Sequence, residues 1–359
     1  MKLDQAKKIL IRAPNWVGDA ILSWPAVEAI ARALPSGAAG SVLARPAVAD
    51  LYRELSIIKE VLVADAVASP GRLSRGLSDL ARLSARIRSR EFDAAILLPN
   101  SFHAALEAWL ARIPLRIGYA RDGRSLLLTE AVPPPRKGEI PPHESYYYLE
   151  LVRRAGLLEE LPEMGEVRLP LGAAGLERAK QRLAAAGLRD GGLRIAFAPG
   201  ASYGSAKCWP VERYAGLADG LIDAFQADVL LFGSLADRPV AEAIAGAMKH
   251  RAAVFAGETS LPEFAALLRC CDLFIGNDSG AMHIAAAVGL AVVAIFGPTD
   301  PAGTGPLTRR RTLVQHKVFC SPCFLRACPI DHRCMKRIEV HEVFRAAEYW
   351  LNRKDVPNA

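Results

Sequence analysis

The sequence predicts an α/β protein made of two doubly wound halves, each a parallel sheet flanked by helices. Three observations lead to this class. Strand-like apolar runs alternate with helical patterns along the whole chain. A loop of the kind that faces a ligand follows the first strand of each half. Between the halves, residues 159–171 form a polar segment with two prolines and no periodicity, which is typical of an interdomain linker.

Chain length and composition agree with two domains. The 359 residues exceed what one hydrophobic core usually serves, and 51% apolar with 23% charged residues is typical of a soluble protein. We expect an N-terminal domain over 1–170, a C-terminal domain over 171–345, and a helix end and tail over 346–359. No apolar run matches a signal-peptide core or the roughly 20 residues of a spanning helix. The sequence therefore predicts a cytoplasmic protein.

In the first half, the apolar runs predict four strands with helices between them, at residues 9–12, 41–44, 61–64 and 94–99. A helix is predicted over residues 73–90, with its arginines outside an apolar stripe. The stripe consists of Leu73, Leu77, Leu80, Leu83 and Ile87. We interpret the arginine face as solvated, the alternative being contact with an acceptor or a membrane. A Pro-rich stretch precedes a helix whose tyrosines are interpreted as packing residues.

In the second half, the same patterns predict a first strand at residues 193–198 and four more, each preceded by a helix, at residues 229–232, 253–255, 273–275 and 292–296. Two helix starts are well marked. Pro210 follows Trp209 where one helix begins, and Ser260 with Glu263 forms a capping box at the start of another.

The loop after the first strand, residues 13–19, ends at Asp19, where a helix begins. At the carboxyl edge of an open sheet, this is a position that meets substrate. The alternative is that Asp19 is only an N-cap residue that binds main-chain amides. Pro25 predicts either a kink in this helix or a fresh helix start after Ser23.

The corresponding loop of the second half, residues 198–210, contains two glycines, three hydroxyl side chains and Lys207. A lysine placed there can reach a phosphate as a point charge. An ordinary surface lysine is the alternative, although loops on a rigid sheet carry function disproportionately often.

A third loop, residues 276–280, reads Gly-Asn-Asp-Ser-Gly and joins a strand directly to a helix of small residues. Its glycines allow close backbone approach, and the unpaired amides of the helix start favour an anion, most simply a phosphate. Simple helix capping by Asp278 and Ser279 is the alternative. With the strand at 292–296, this region predicts a parallel βαβ unit.

The formal charge of +7 and an isoelectric point near 9.1 indicate acidic partners. The basic residues are dispersed among acidic ones, and no nucleic-acid module accompanies them, so we expect no nucleic-acid partner. An anionic substrate or an anionic membrane surface fits the charge better.

Four of the seven cysteines lie close together in the sequence, with the spacing C-x2-C-x4-C-x5-C, at Cys320, Cys323, Cys328 and Cys334. Four thiolates in this arrangement could surround Zn²⁺. Reduced thiols in a compact loop are the alternative, because paired zinc knuckles usually separate their cysteine pairs by a longer stretch.

Four motifs occur together and in order: Trp-Val-Gly-Asp at 16–19, Lys-Cys-Trp-Pro at 207–210, Gly-Asn-Asp-Ser-Gly-Ala-Met-His at 276–283, and Phe-Gly-Pro-Thr at 296–299. In these motifs the chain resembles the ADP-heptose:lipopolysaccharide heptosyltransferases, glycosyltransferase family 9. The cysteine segment resembles the heptosyltransferase II subgroup. The resemblance covers nearly the whole chain and implies the GT-B architecture, two Rossmann-like domains facing each other across a cleft.

The resemblance implies an inverting transfer of heptose from ADP-L-glycero-D-manno-heptose to heptose I of the lipopolysaccharide inner core. The acceptor is an anionic lipid at the cytoplasmic face of the inner membrane, so the enzyme would be a peripheral membrane protein. Asp19 matches the proposed general base, which takes the proton of the acceptor hydroxyl. Lys207 matches the residue that contacts the nucleotide phosphate and stabilises the leaving diphosphate.

The resemblance also implies a nucleotide site, formed by Ser202, Tyr203, Lys207, Asp237, Asp278, Ser279, Gly280 and His283. Tyr203 departs from the small hydroxyl residue expected at its position. Charge and loop placement, rather than the resemblance, suggest a cationic acceptor cluster of Arg116, Arg121 and Arg124. ADP-heptose is the donor substrate, no resident cofactor is implied, and a role for Mg²⁺ is left open, as is Zn²⁺ at the cysteines.

Two alternatives to this function remain open. One is a sister enzyme on the same scaffold, heptosyltransferase I or a transferase for another sugar. The other is a non-catalytic nucleotide-binding or membrane-associated protein. The first strand is not followed by G-x-G-x-x-G, and no G-K-[ST] phosphate loop is present, which argues against a dinucleotide oxidoreductase and a P-loop enzyme.

Overall fold

A computed structural model describes residues 3–35, 38–64, 73–188 and 190–353. The chain divides into two compact units, Met1–Glu163 and Met164–Ala359. Each unit contains one parallel sheet of six strands with helices packed on it. The division lies within the polar segment 159–171. The prediction of an α/β protein with two doubly wound halves is confirmed.

The sheet of the first unit has the strand order β3-β2-β1-β4-β5-β6, and all its strands are parallel. Its strands are β1 (Lys8–Arg12), β2 (Ala39–Ala44), β3 (Glu60–Val63), β4 (Ala94–Leu97), β5 (Leu115–Tyr119) and β6 (Glu130–Val132). Its helices are α1 (Val17–Leu22), α2 (Trp24–Ala33), α3 (Pro46–Arg53), α4 (Leu73–Arg88), α5 (Phe102–Leu110) and α6 (Glu144–Arg154). Helix α2 begins at Trp24 as a fresh helix after Ser23, with Pro25 in its first turn, as one of the two predictions stated.

The sheet of the second unit has the order β9-β8-β7-β10-β11-β12 and is also parallel. Its strands are β7 (Arg194–Ala198), β8 (Asp228–Leu231), β9 (Ala253–Val254), β10 (Leu273–Asn277), β11 (Ala291–Phe296) and β12 (Arg311–Gln315). Its helices are α7 (Ala173–Ala185), α8 (Val211–Phe225), α9 (Arg238–Ala247), α10 (Leu261–Arg269), α11 (Gly280–Ala287), α12 (Pro301–Thr304), α13 (Arg333–Lys336) and α14 (Val340–Leu351).

Both sheets reverse their strand order beside their first strand, between β1 and β4 in one unit and between β7 and β10 in the other. At such a switch point the two following loops diverge and leave a crevice at the carboxyl ends of the strands, where ligands bind. The loops after β1 and β4, and those after β7 and β10, therefore hold the candidate sites.

The cores explain why the central strands were visible in the sequence. Every residue of β10 and β11 is buried, because helices cover both faces of a parallel sheet. In α4 the stripe residues Leu80, Leu83 and Ile87 are buried as predicted, whereas the side chains of Leu73 and Leu77 lie outside the described residues. Residues 354–359 of the predicted tail also lie outside the described ranges.

The last helix of the described chain, α14, belongs to the core of the second unit. Its residues Val343 and Ala347 are fully buried among the apolar side chains of that unit. Glu339 and Glu342 form a capping box at its start. In the part of the chain that the structure describes, none of the helices has the length and apolar character needed to cross a bilayer.

Candidate functional site

Asp19 lies in the first turn of α1, beyond the carboxyl end of β1 at the switch point of the first sheet. The N-cap residue of this helix is Trp16, so the interpretation of Asp19 as an N-cap is wrong. A carboxylate in the first turn is still stabilised by the positive end of the helix dipole. Asp19 is partly exposed at the sheet edge.

A second carboxyl group, that of Glu144, lies within electrostatic range of Asp19. Glu144 is the first residue of α6, which packs against α1. The pKa of Glu144 is raised to about 7, mainly by burial and also by the charge of Asp19, while Arg121 and a hydrogen bond with Tyr148 act in the opposite direction. Sequence reasoning missed Glu144, although a carboxylate at a helix start is the same pattern that marks Asp19.

The start of the Asp19 loop is anchored by a buried ion pair. Arg12 Nε lies 2.7 Å from Glu107 Oε2, and both side chains are almost fully buried. Arg12 Nη1 also donates a hydrogen bond of 2.7 Å to the carbonyl oxygen of Ala13. These contacts tie the end of β1 to α5 and to the first residue of the loop. Breaking the pair would be costly, because the remaining buried charge would have no partner.

The three arginines predicted as an acceptor cluster do not form an exposed cluster. Arg124 is fully buried and donates to the carbonyl oxygens of Tyr119 and Pro99, and burial lowers its pKa to about 10. Arg116 donates to the carbonyl of Leu127 at 2.7 Å, and burial lowers its pKa as well. Arg121 alone of the three has an exposed side chain. The acceptor role therefore stays a prediction that concerns Arg121 above all.

In the second unit, the predicted residues Lys207 and Asp278 meet directly. Lys207 Nζ lies 2.5 Å from Asp278 Oδ2, with the two side chains 11% and 4% exposed. The hydroxyl of Thr299, in the loop after β11, donates a 2.7 Å hydrogen bond to the same carboxylate oxygen. Three loops at the carboxyl edge of the sheet thus converge on one oxygen atom. A nearly buried cation fixed in this way offers its charge at one defined point.

Asn277, the last residue of β10, joins the loop after β7 to the sheet. Its Oδ1 accepts hydrogen bonds from Trp209 N at 3.3 Å and from Tyr214 Oη at 3.0 Å. Its Nδ2 donates to the carbonyl of Pro199 at 2.5 Å. Asn277 is fully buried, so these bonds satisfy a polar group that would otherwise be costly. Sequence reasoning did not predict this role for Asn277, nor that of Thr299.

Helix α11 presents its N-terminus at the same edge. Ser279 is its N-cap residue but makes no side-chain capping hydrogen bond, and its hydroxyl is buried without a hydrogen-bond partner. Gly280 is the first helical residue, and His283 follows within the first turn and is 4% exposed. An uncapped helix start with a positive dipole end is a favourable place for a phosphate. The interpretation of Ser279 as a simple side-chain cap is wrong.

Tyr203 and Ser202 lie in the loop after β7 but differ in their surroundings. Ser202 is exposed. The hydroxyl of Tyr203 donates a 2.6 Å hydrogen bond to the carbonyl of Phe324, and Lys207 Nζ lies 4.8 Å from the centre of the Tyr203 ring. The ring therefore packs against the lysine, while the hydroxyl binds the main chain.

Asp237 ends a short 3-10 helix after β8, where its carboxylate accepts hydrogen bonds from Ser234 N and Ser234 Oγ at 2.8 and 2.6 Å. The same carboxylate fills the space beside Gly200 and Gly233, and a Cβ atom at Gly200 would collide with it. Asp237 thus lies between the loops after β7 and β8, on the same sheet edge as Lys207.

Residues 319–334, named here the cysteine-rich segment, lie against the loops of this edge. Arg326 O accepts a hydrogen bond from Ala206 N at 3.0 Å, and Pro298 O accepts from Cys323 N at 3.0 Å. One pocket of the protein is lined by all four clustered cysteines, which are Cys320, Cys323, Cys328 and Cys334. In the ranges that the structure describes, no group of three or more His, Cys, Asp or Glu side chains is arranged to hold a metal ion. The zinc site stays a prediction from spacing alone.

Comparison with known proteins decides the family. The model of glycosyltransferase family 9 (heptosyltransferase) matches residues 80–333, which include the Lys207, Asp278 and Thr299 loops. This chain belongs to glycosyltransferase family 9. The resemblance inferred from the four motifs is confirmed, and the chain is a glycosyltransferase.

Among family 9 members, the chain is 32% identical over 319 residues to lipooligosaccharide heptosyltransferase 2 of Haemophilus influenzae, covering 86% of this chain and 88% of that protein. It is 31% identical over 323 residues to lipopolysaccharide heptosyltransferase 2 of Escherichia coli, covering 87% and 90%. The solved structure of E. coli ADP-heptose lps heptosyltransferase II has a TM-score of 0.81 at 27% identity, with 97% and 100% of the two chains covered.

Proposed function

We propose that this family 9 enzyme transfers heptose from ADP-heptose to the heptose I residue of the lipopolysaccharide inner core, with inversion at the anomeric carbon. The observation that carries the proposal is the Lys207, Asp278 and Thr299 network beside the uncapped start of α11. The relatives named above, which match most of this chain, are heptosyltransferases of the second type.

The second unit binds the donor in this proposal. The amides at the start of α11 and the ammonium of Lys207 bind the pyrophosphate, and Asp278 with Thr299 holds the lysine in position. As the bond between the anomeric carbon and the phosphate oxygen breaks, negative charge develops on ADP. A fixed cation that faces this charge stabilises the transition state more than the ground state.

The first unit supplies the base. Asp19 takes the proton of the acceptor hydroxyl while that oxygen forms its bond to the anomeric carbon. The electron pair of the breaking bond leaves with ADP, and attack from the opposite face inverts the anomeric configuration. The sugar carries oxocarbenium character during the step, as in glycoside hydrolysis.

Exposed Arg121, in the loop after β5, contributes to binding of the anionic acceptor, and Asp237 contributes to binding of the adenosine part of the donor. Ser202 offers a hydroxyl to the pyrophosphate. The acceptor is lipid-borne, so we place the reaction at the cytoplasmic face of the inner membrane, with the enzyme as a peripheral protein.

The deciding experiment is a donor and acceptor screen with product mass measured directly. Purified protein is incubated with ADP-heptose or with ADP-hexose, and with core oligosaccharides that carry no heptose or one heptose. Parallel reactions contain Mg²⁺ or a chelator. We expect one heptose to be added only to the acceptor that already carries heptose. Addition to the heptose-free acceptor would identify a type I enzyme instead, and ADP binding without product would identify a binding protein.

A further inference from the structure

The cysteine-rich segment exposes large apolar side chains to solvent. Phe319 is 80% exposed, Phe324 55%, Ile330 52% and Leu325 44%. Single exposed apolar residues are ordinary on protein surfaces, whereas these four lie together within residues 319–330 of the chain.

The same part of the chain is strongly basic. Residues 317–337 contain five Lys and Arg side chains and a single acid, Asp331, so they hold +4 of the formal charge of +7. Asp331 is already paired, with its Oδ1 3.0 Å from Arg333 Nε. The guanidinium of Arg333 also lies 4.7 Å from the centre of the Phe319 ring. The four other basic residues of this stretch are exposed, namely Lys317, Arg326, Lys336 and Arg337.

We propose that the cysteine-rich segment docks the protein onto an anionic lipid surface. Its apolar side chains enter the interfacial layer, where aromatic rings are favoured, and the surrounding cations contact the lipid headgroups. A second copy of the chain fits this surface less well, because two copies would bring the like charges of residues 317–337 together.

The docking surface contacts the loop of the donor site, whose role as donor site rests on the proposed function. The main chain behind the exposed side chains holds the loop after β7, through Phe324 O with Tyr203 Oη and Arg326 O with Ala206 N. A Cβ atom at Gly204 would collide with the Arg326 carbonyl, so the two segments pack closely. The lipid surface would therefore lie beside the loop that carries Lys207.

Vesicle sedimentation with the full-length protein tests the proposal. Vesicles of phosphatidylcholine alone are compared with vesicles containing about one-third phosphatidylglycerol, at about 0.1 M salt and again at about 0.5 M. We expect pelleting with the anionic vesicles only, and release as salt increases. Protein that stays in the supernatant with both vesicles, or binds both equally, would overturn the proposal.

Matched double variants assign the binding to the segment. Phe319→Ser with Leu325→Ser should weaken vesicle binding about tenfold or more, since interfacial binding scales with buried apolar area. The control is Trp109→Ser with Leu126→Ser, because these side chains are 47% and 94% exposed in the first unit. Equal losses in the two double variants would mean that the segment is not the docking surface.

A second pair of variants tests the charges. Lys317→Gln with Lys336→Gln should reduce binding to anionic vesicles and its salt dependence, whereas Lys249→Gln with Arg251→Gln should leave both unchanged. Sedimentation without lipid checks the competing occupant. A dimer that dissociates in the Phe319→Ser, Leu325→Ser variant would make the surface a protein interface and end the proposal.

ADP binding, measured by calorimetry on each variant, shows that the second unit is folded and competent. Transfer to a delipidated core acceptor tests the proposed function without any vesicle. Loss of vesicle binding with normal transfer to the soluble acceptor is the expected result for Phe319→Ser with Leu325→Ser. Wild-type protein that transfers heptose but never binds vesicles would overturn the docking proposal alone.

Discussion

The two units share one sheet plan and differ in the charge they present at its ligand edge. In the first unit, the helix that follows the first strand carries Asp19 in its first turn, and the carboxyl of Glu144 lies within the electrostatic range of Asp19. In the second unit, the loop after the first strand carries Lys207, which is paired with Asp278. The doubly wound fold thus determines where a ligand binds, and the residues at the loop ends determine which chemistry it meets.

The two edges also differ in how charge is balanced. The buried carboxylate of Asp278 has a lysine and a threonine hydroxyl on one oxygen. The carboxyl of Glu144 has Asp19 as a like-charged neighbour, which raises its pKa. Arg121 is the charged group that lowers this pKa. Burial and the charge of Asp19 therefore raise the pKa of Glu144 at the first edge to about 7, whereas at the second edge the buried carboxylate is paired with a lysine.

The largest effect is expected for Asp19→Asn. The amide cannot accept the acceptor proton, so kcat should fall about 10³-fold, within the usual range for a general base. ADP affinity, measured by calorimetry, should not change, since Asp19 belongs to the other unit. Asp50→Asn, at another partly exposed carboxylate of the first unit, is the control. Near-normal turnover of Asp19→Asn would refute the base assignment.

The next effect concerns the cation of the second unit. Lys207→Ala should lower kcat/KM for the donor about 10²-fold, comparable to loss of one transition-state donor. It should also destabilise the protein by about 3 kcal/mol, because Asp278 stays buried without its cation. Initial rates and urea unfolding measure the two effects, with exposed Lys249→Ala as control. A change in acceptor KM alone would show that Lys207 does not bind the donor phosphate.

A smaller effect is expected on the pH dependence of protein stability, through Glu144 at the first edge. Folding raises the pKa of Glu144 from 4.5 to about 7, so the folded protein binds this proton more tightly than the unfolded chain. The resulting stability is fully present below about pH 4.5 and is lost as pH rises through about 7.

In Glu144→Gln this pH-dependent loss should disappear. Between pH 5 and pH 8, we expect the free energy of unfolding of the wild type to fall relative to that of the variant by a few kcal/mol at most, at about 1.4 kcal/mol per pKa unit. Urea titrations of both proteins measure the difference. Parallel pH profiles for the two proteins would show that Glu144 does not titrate in this range.

The smallest effect sharpens the comparison within the first unit. Arg121→Gln should raise the acceptor KM about fivefold and leave stability unchanged, as expected for one exposed charge worth about 1 kcal/mol. Arg124→Gln should instead lower the unfolding midpoint, because the carbonyls of Tyr119 and Pro99 lose their donor. Kinetics and urea unfolding of both variants measure this; the opposite pattern would assign the acceptor role to Arg124.

Strand prediction succeeded where the apolar runs in the sequence are continuous. The nine predicted strands correspond to β1–β4 and β7–β11, and they include the edge strands β3 and β9. The sequence did not reveal β5, β6 and β12. Of these, β6 and β12 are edge strands with exposed residues, and β5 has Arg116 and Gly118 in place of a continuous apolar run.

The candidate sites were predicted as positions and only partly as contacts. The positions of Asp19, Lys207 and Asp278 were visible in the sequence because Gly, Pro and polar residues follow apolar strands. The hydrogen bonds that join these loops to one another were not visible in the sequence. Thr299 is 21 positions from Asp278, and Asn277 binds atoms 63 to 78 positions away. Pairs so distant along the chain leave no local pattern.

The sequence by itself determined the alternation of elements, the two-unit plan, the ligand loops and the family, because apolar periodicity and ordered motifs are local properties of the chain. Only the tertiary structure decided that Arg124 is buried, that Glu144 lies in range of Asp19, and that Lys207 is held by Asp278. Burial and long-range contact set those charges and their pKa values, and both exist only once the sheets have formed.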